Sequence, residues 1–194
     1  MKVDKSELYH SARELFMAKG FKNTSIADIT GRAGISVGSF YTFYKSKEAV
    51  FLDVFIAESN SLNERVVREV DLDGDPVYVI KEIIFKLFAG AQENRVLREW
   101  FNRDVYRKLE KYLQQQGRPE TPEYDFSNEL FTRIIDAWQN EGKIRRDMDS
   151  SLILAMLNSF QYIDLHQGEI GSEHFPLLLE RMIEFVVRGL MSEA

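Results

Sequence analysis

Cysteine is missing from this 194-residue chain, so neither disulfides nor thiolate metal sites are available to it. Apolar runs are short, and none approaches the roughly 18 residues of a membrane span. The opening MKVDKSEL carries no apolar stretch of the kind that forms a signal peptide, which makes a cytoplasmic location the expectation. Strand-like alternation longer than a few residues is missing too. So are the G-x-S-x-G elbow, the P-loop and the dinucleotide fingerprint, which removes the commonest enzyme signatures. Only three histidines occur, His10, His166 and His174, and they lack metal-ligand spacing. Glu7 and His10 make one Glu-x-x-His pair, whereas a di-iron bundle needs two such pairs and further glutamates. Asp71, Asp73 and Asp75 imitate a calcium loop, but Gly74 falls at the wrong place in that frame and Pro76 interrupts it. No metal, no cofactor and no catalytic residue is expected.

What is present is a core and a charge gradient. Hydrophobic residues make up 44% of the chain and charged ones 29%, enough apolar material to exclude a disordered tail. The net charge of −6 argues against nucleic acid until it is resolved by position. Residues 1–50 hold eight Lys/Arg against five Asp/Glu, while residues 51–194 hold seventeen against twenty-six. A basic segment on an acidic body is a mild pointer to a nucleic-acid partner.

Helical spacing runs through the whole chain. Leu8, Ala12, Leu15 and Phe16 share one face of a first helix, with Asp4 and Glu7 at its start and Gly20 at its end. A second helix is predicted from about Ile26, with Thr24 or Ser25 as its cap and Gly34 as its stop. Ser36 caps a third over Val37 to Tyr44. Ser46 caps a longer fourth, whose Val50, Phe51, Val54, Phe55 and Leu62 continue the apolar stripe. After the break "DLDGDP", Asp75 followed by Pro76 signals another start. Helices are then predicted over about 76–91, 94–116, 122–141, 149–168 and 173–191, with a possible kink near 90–94 in place of a break. Thr121-Pro122 repeats the cap-then-proline device, and Gly117 and Gly142 mark helix ends.

The stretch Ile35 to Val50, ISVGSFYTFYKSKEAV, sets four aromatics beside small hydroxyls, a glycine and lysines. Two short helices joined by "AGIS" make a helix-turn-helix, with Gly34 at the left-handed corner. In such a motif the second helix enters the major groove. Phe40 and Tyr44, four residues apart, face inward. Val37, Gly38, Ser39, Thr42 and Phe43 are left for the DNA side. There Gly38 admits close approach, and Ser39 and Thr42 offer hydrogen bonds and a methyl to base edges. Tyr41 suits a phosphate. Thr24, Ser25 and Ser36, at helix starts, and Lys47, in the first turn of the fourth helix, are further phosphate contacts.

The run TSIADITGRAGISVGSFYTFYKSKEAV resembles the DNA-binding segment of the TetR family of bacterial transcriptional regulators. The match lies at Ile29, Ala33, Gly34, Ser36, Gly38, Ser39, Phe40, Tyr41, Ser46, Lys47 and Glu48, within roughly residues 6–55. Thr30 and Gly31 depart from the pattern, and a glycine inside a helix costs about 1 kcal/mol relative to alanine. Phe43 stands where the family often has His or Tyr, and Tyr44 where it has Phe. The groove-facing set contains no Arg, Asn or Gln, so sequence preference is expected from Ser39, Thr42, apolar contact and DNA shape.

The resemblance implies an all-α fold: a helix-turn-helix DNA-binding domain over residues 1–47 and a helical ligand-binding and dimerisation domain over 48–194. It implies a homodimer on double-stranded DNA with a palindromic operator, because paired heads meet half-sites one turn apart. A small-molecule effector of unknown identity would sit among the core helices, with Phe88, Trp100, Trp138, Tyr162 and His166 as candidate pocket residues. The last two helices would pair across the dimer through Leu152, Ala155, Met156, Ser159, Leu178, Met182 and Phe185. The rival expectation is a helical small-molecule carrier that no longer binds DNA.

Overall fold

Capping side chains and helical periodicity account for the elements seen in a computed structural model, which describes residues 4–117, 126–165 and 173–191. Helix α1 (Lys5–Lys19) opens on Asp4, whose carboxylate accepts the free N–H groups of Ser6 and Glu7 at 2.8 and 3.0 Å. Helix α2 (Ile26–Ala33) and helix α3 (Val37–Phe43) follow, then α4 (Lys47–Glu69), where Ser46 Oγ accepts the Ala49 N–H at 3.2 Å. Helix α5 (Pro76–Glu93) starts with Asp75 accepting from Val77 and Tyr78, as the Asp-Pro pair predicts.

The single helix expected over 94–116 is not one element. Asn94 caps a four-residue α6 (Arg95–Arg98) by accepting from Val96 and Leu97, and a 3₁₀ turn over Glu99–Phe101 follows. Asn102 then caps α7 (Arg103–Gln115) through the Asp104 N–H. Asparagine side chains compete with the helical ladder for backbone N–H groups, so two of them eight residues apart break the run twice. Helices α8 (Phe126–Asn140), α9 (Ser150–Leu165) and α10 (Phe175–Leu190) complete the chain. Thr121 and Pro122 lie outside the described residues. Among the described residues the fold is all-α, and the sole strand-like feature is an isolated bridge between Ile144 and Met191.

The helices fall into two compact units. One comprises Met1–Leu62 and Ala89–Glu123, the other Asn63–Phe88 and Tyr124–Ala194. The first unit thus takes in α6, α7 and the head of α4 along with the first three helices. Its core is aromatic: Phe16, Phe21 and Phe51 meet with ring centroids 4.9–6.2 Å apart, and Phe55 stacks on Trp100 at 5.2 Å. Such ring pairs add to the stabilisation from burial alone. In the second unit Ile135, Trp138, Ile153, Phe160, Leu179, Ile183 and Val187 are buried. The Trp138 N–H donates to the Leu72 carbonyl at 3.2 Å, and Lys81 lies 3.3 Å from both Glu180 and Glu184.

The turn between α1 and α2 is held by side chains from far along the chain. Gly20 ends α1 at φ +79°, a region that side chains rarely adopt. The Glu99 carboxylate accepts the Phe21 N–H at 2.8 Å. The Lys47 ammonium donates to the carbonyls of Phe21 and Thr24, each at 2.8 Å, and sits 4.2 Å above the Phe21 ring. The Thr24 hydroxyl donates to the Gly20 carbonyl at 2.8 Å. These bonds serve backbone groups of a half-buried corner, where the turn's own bond, from the Thr24 N–H to the Phe21 carbonyl, is long at 3.4 Å. Replacing Lys47 with Met is therefore expected to lower the unfolding free energy by about 1.5–3 kcal/mol, the usual range for a charged hydrogen bond. Urea denaturation measures it, and an unchanged midpoint would show that the two carbonyls do not depend on the ammonium.

Candidate nucleic-acid interface

The helix-turn-helix is built from caps. Ser25 and Asp28 form a reciprocal capping box at the start of α2: the Asp28 N–H donates to Ser25 Oγ at 3.0 Å and the Ser25 N–H to Asp28 Oδ2 at 2.9 Å. The bonds from the Ser25 N–H and hydroxyl hold the Asp28 carboxyl below its usual range. Gly34 closes α2 in the left-handed region, at φ 68° and ψ 30°, while the Ile35 N–H reaches back to Thr30 O at 3.0 Å. Ser36 then caps α3 by accepting the Ser39 N–H at 3.2 Å.

With only seven residues, α3 has two distinct sides. Phe40 and Tyr44 are buried, as their spacing predicts, with centroids 6.1 Å apart. Burial, together with the charge and hydrogen bond of Asp53, drives the Tyr44 hydroxyl well above the ordinary tyrosine range, so it stays protonated. Lys5 lies 4.8 Å over the Tyr44 ring and 3.4 Å from Asp53, which ties the start of α1 to this corner. The opposite side is open. Val37 is 45% exposed and Tyr41 55% exposed, and Gly38 and Thr42 are exposed beside them. Ser39 and Phe43 are half-exposed. The outward set expected from the sequence therefore sits together on one face of the first unit.

Two expected contacts take a different form. Thr24 is 1% exposed and its hydroxyl is spent on the Gly20 carbonyl, so this side chain is part of the turn and not a surface donor. Lys47 stands in the first turn of α4, where the helix dipole repels a cation. Its ammonium turns instead to the two carbonyls of the α1–α2 turn, and partial burial lowers its pKa against the opposing pull of Glu48. Ser25 and Ser36 are exposed, but each hydroxyl already serves as a cap. The Ser39 hydroxyl lies 2.9 Å from that of Ser36, and either atom is a competent donor.

The remaining candidates are spread through the fold. Trp100 is buried against Phe55 and Tyr106 in the first unit. Phe88, half-buried, and Trp138, buried with its N–H committed to Leu72, belong to the second. The side chain of Tyr162 and all of His166 lie outside the described residues. In α9 and α10, Phe185 is 73% exposed and Leu152 51%; Ala155 and Ser159 are exposed, and Met156, Leu178 and Met182 are half-exposed. Sequence reasoning missed Glu99, whose place beside Phe21 no local motif announces. Among the described residues no cluster of His, Asp and Glu is arranged to hold a metal ion, and no helix is long and apolar enough to cross a membrane.

Comparison with known proteins agrees with this geometry. Residues 8–54 match the family model described as bacterial regulatory proteins, tetR family. Over 203 aligned positions the chain is 27% identical to the uncharacterized HTH-type transcriptional regulator YerO of Bacillus subtilis (strain 168), covering 100% of this chain and 68% of that protein. It is 23% identical over 185 positions to the HTH-type transcriptional repressor KstR2 of Mycolicibacterium smegmatis, covering 92% and 84% of the two chains. Among solved structures it is similar to Thermus thermophilus FadR, a TetR-family transcriptional repressor in complex with lauroyl-CoA. That likeness has a TM-score of 0.64 at 22% identity, over 98% of this chain and 97% of that one. A family-model match that covers the helix-turn-helix, regulators among its relatives over most of its length, and a shared all-helical fold lead to one assignment: the helix-turn-helix head of this chain is that of the tetR family of bacterial regulatory proteins.

Proposed function

We propose that this regulator is a homodimeric repressor that binds a palindromic operator through α3 and leaves it when a small molecule binds the helical core. In this reading residues 1–47 are the DNA-binding domain and 48–194 the ligand-binding and dimerisation domain. Val37, Gly38, Ser39, Tyr41, Thr42 and Phe43 face the major groove. Ser25 and Ser36 lie along the phosphates, and Lys47 reaches them with the ammonium hydrogen not committed to the turn.

The observation that carries the reading is the open face of α3, and Gly38 in particular. A Cβ built there meets only Ser36 Oγ, at an ordinary 3.7 Å. Among the described residues nothing requires glycine at this place, although glycine weakens a helix. A requirement from outside, the close approach of a duplex, explains it.

For dimerisation the supporting observation is the apolar side of α9 and α10, where Leu152, Leu177 and Phe185 are each more than half exposed. Large exposed apolar residues gathered on adjacent helices mark an interface. For release, a ligand must bind the non-DNA-binding form more tightly, by about 5.5 kcal/mol to move the population from 1:99 to 99:1. Long-chain acyl-CoA thioesters are the first class to test, because the FadR neighbour was solved with lauroyl-CoA. Phe88, Trp138, Tyr162 and His166, which all belong to the second unit, are the candidate contacts.

The decisive experiment selects operator DNA from a random pool and then screens acyl-CoA thioesters and other metabolites for release. Retention of a palindromic sequence is expected; a protein that retains no DNA would be a ligand carrier instead. Gly38→Ala is expected to keep or raise thermal stability, by up to about 1 kcal/mol, while weakening operator binding; a variant that binds as well as the wild type would remove Gly38 from the interface. Phe185→Glu is expected to yield a monomer by light scattering and to lose operator affinity with it. A dimer that persists would place the interface elsewhere.

A further inference from the structure

Glu99 lies well outside the segment 8–54 that matches the family model, yet it bonds directly to the helix-turn-helix head. Its Oε1 accepts the Phe21 N–H at 2.8 Å. A Cβ on Gly20 would stand 2.4 Å from that same oxygen, so the carboxylate occupies the space that any other residue at position 20 would need. The Phe21 carbonyl, on the other side of the same residue, accepts from Lys47, as does that of Thr24. Thr24 precedes Ser25, the cap of α2, and α2 runs through the Gly34 corner into α3.

The carboxylate is itself held in place. Glu99 opens a 3₁₀ turn between the helices capped by Asn94 and Asn102. The neighbouring Trp100 is fixed between the Phe55 and Tyr106 rings, at 5.2 and 4.9 Å. Asn94 also donates to Glu58 at 2.7 Å, and Glu58 accepts from Arg13 of α1 at 2.5 Å. The position of Glu99 is therefore rigidly related to α1 and to the head of α4.

From this geometry we infer that Glu99 is a positioning residue for DNA binding: by holding the Phe21 N–H it fixes the Gly20–Thr24 turn, and with it the start of α2 and the seat of the Lys47 ammonium. The inference rests on the DNA-binding reading above. Glu99 touches no DNA in this account. It sets where the groups that do touch it stand, and small displacements of such groups weaken recognition steeply.

The test compares Glu99→Ala with Glu99→Gln on the selected operator, reading affinity, salt dependence, thermal midpoint and hydrogen exchange at the Phe21 amide. Glu99→Ala is expected to raise the dissociation constant by about tenfold and to speed Phe21 exchange, whereas Glu99→Gln, which keeps an acceptor oxygen, stays within about threefold. The slope of log affinity against log salt is expected to fall by no more than about one unit, the share of the single Lys47 contact that Glu99 seats. Should Glu99→Ala fail to fold, Glu99→Asp, whose oxygens are withdrawn by one methylene, takes its place. A variant that has lost Phe21 protection but binds operator within about twofold overturns the inference. So does a Gln variant as weak as Ala with its Phe21 amide still protected. A wild-type protein that binds no DNA sinks the regulator reading itself, and that is seen before any variant is made.

Discussion

The helix-turn-helix depends on one small corner, the turn from Gly20 to Thr24. Its backbone carries polar groups where α1 has ended and α2 has not begun, so neither helix can satisfy them. Two opposite charges from elsewhere do so: the Glu99 carboxylate takes an N–H, and the Lys47 ammonium gives to two carbonyls. Each charge is partnered by backbone dipoles, which is a condition for holding ionised groups in a partly buried place. The aromatic cluster of Phe16, Phe21 and Phe51 packs directly against this corner and limits water there. Together with the Arg32–Glu14 and Lys19–Asp28 ion pairs, the corner sets α2 relative to α1.

How much of this was legible in the sequence depends on the range of the interaction. Caps act over three residues, so Asp4, Ser25, Ser36, Ser46 and Asp75 announced their helices correctly. Gly34 and Gly142 marked left-handed helix ends, and both have positive φ. The inward pair Phe40 and Tyr44 followed from periodicity alone. The breaks at Asn94 and Asn102 were only half visible, because asparagine inside an amphipathic run looks like an ordinary polar position until its side chain is seen to bond the backbone. The structural role of Lys47 was hidden for a related reason. A lysine in a first helical turn reads as an anion site, and only the fold brings two carbonyls to it across more than twenty residues. Thr24 reads as a surface cap beside Ser25, and the turn instead draws it inward. Glu99, 78 residues from Phe21, had no local signal at all.

The outward side of α3 shows the reverse economy. It has no long charged side chains, and its exposed set of Val37, Gly38, Tyr41 and Thr42 is small apart from one ring. On the proposed reading, this surface trades strong individual contacts for closeness, with backbone and methyl groups meeting the floor of the groove. Discrimination then rests on shape and on how readily a given duplex deforms, more than on bidentate purine recognition.

The paired hydroxyls of Ser36 and Ser39 bear on that discrimination. Because either hydroxyl can donate to the other, rotating both together turns the outward lone pair of Ser39 into an outward hydrogen, with no backbone movement. Such a rotor reads a carbonyl and an amine at the same base position almost equally well. On the proposed reading the protein is permissive at that step of the operator, and discrimination there is left to the shape of the duplex and to apolar contact from Thr42 and Val37.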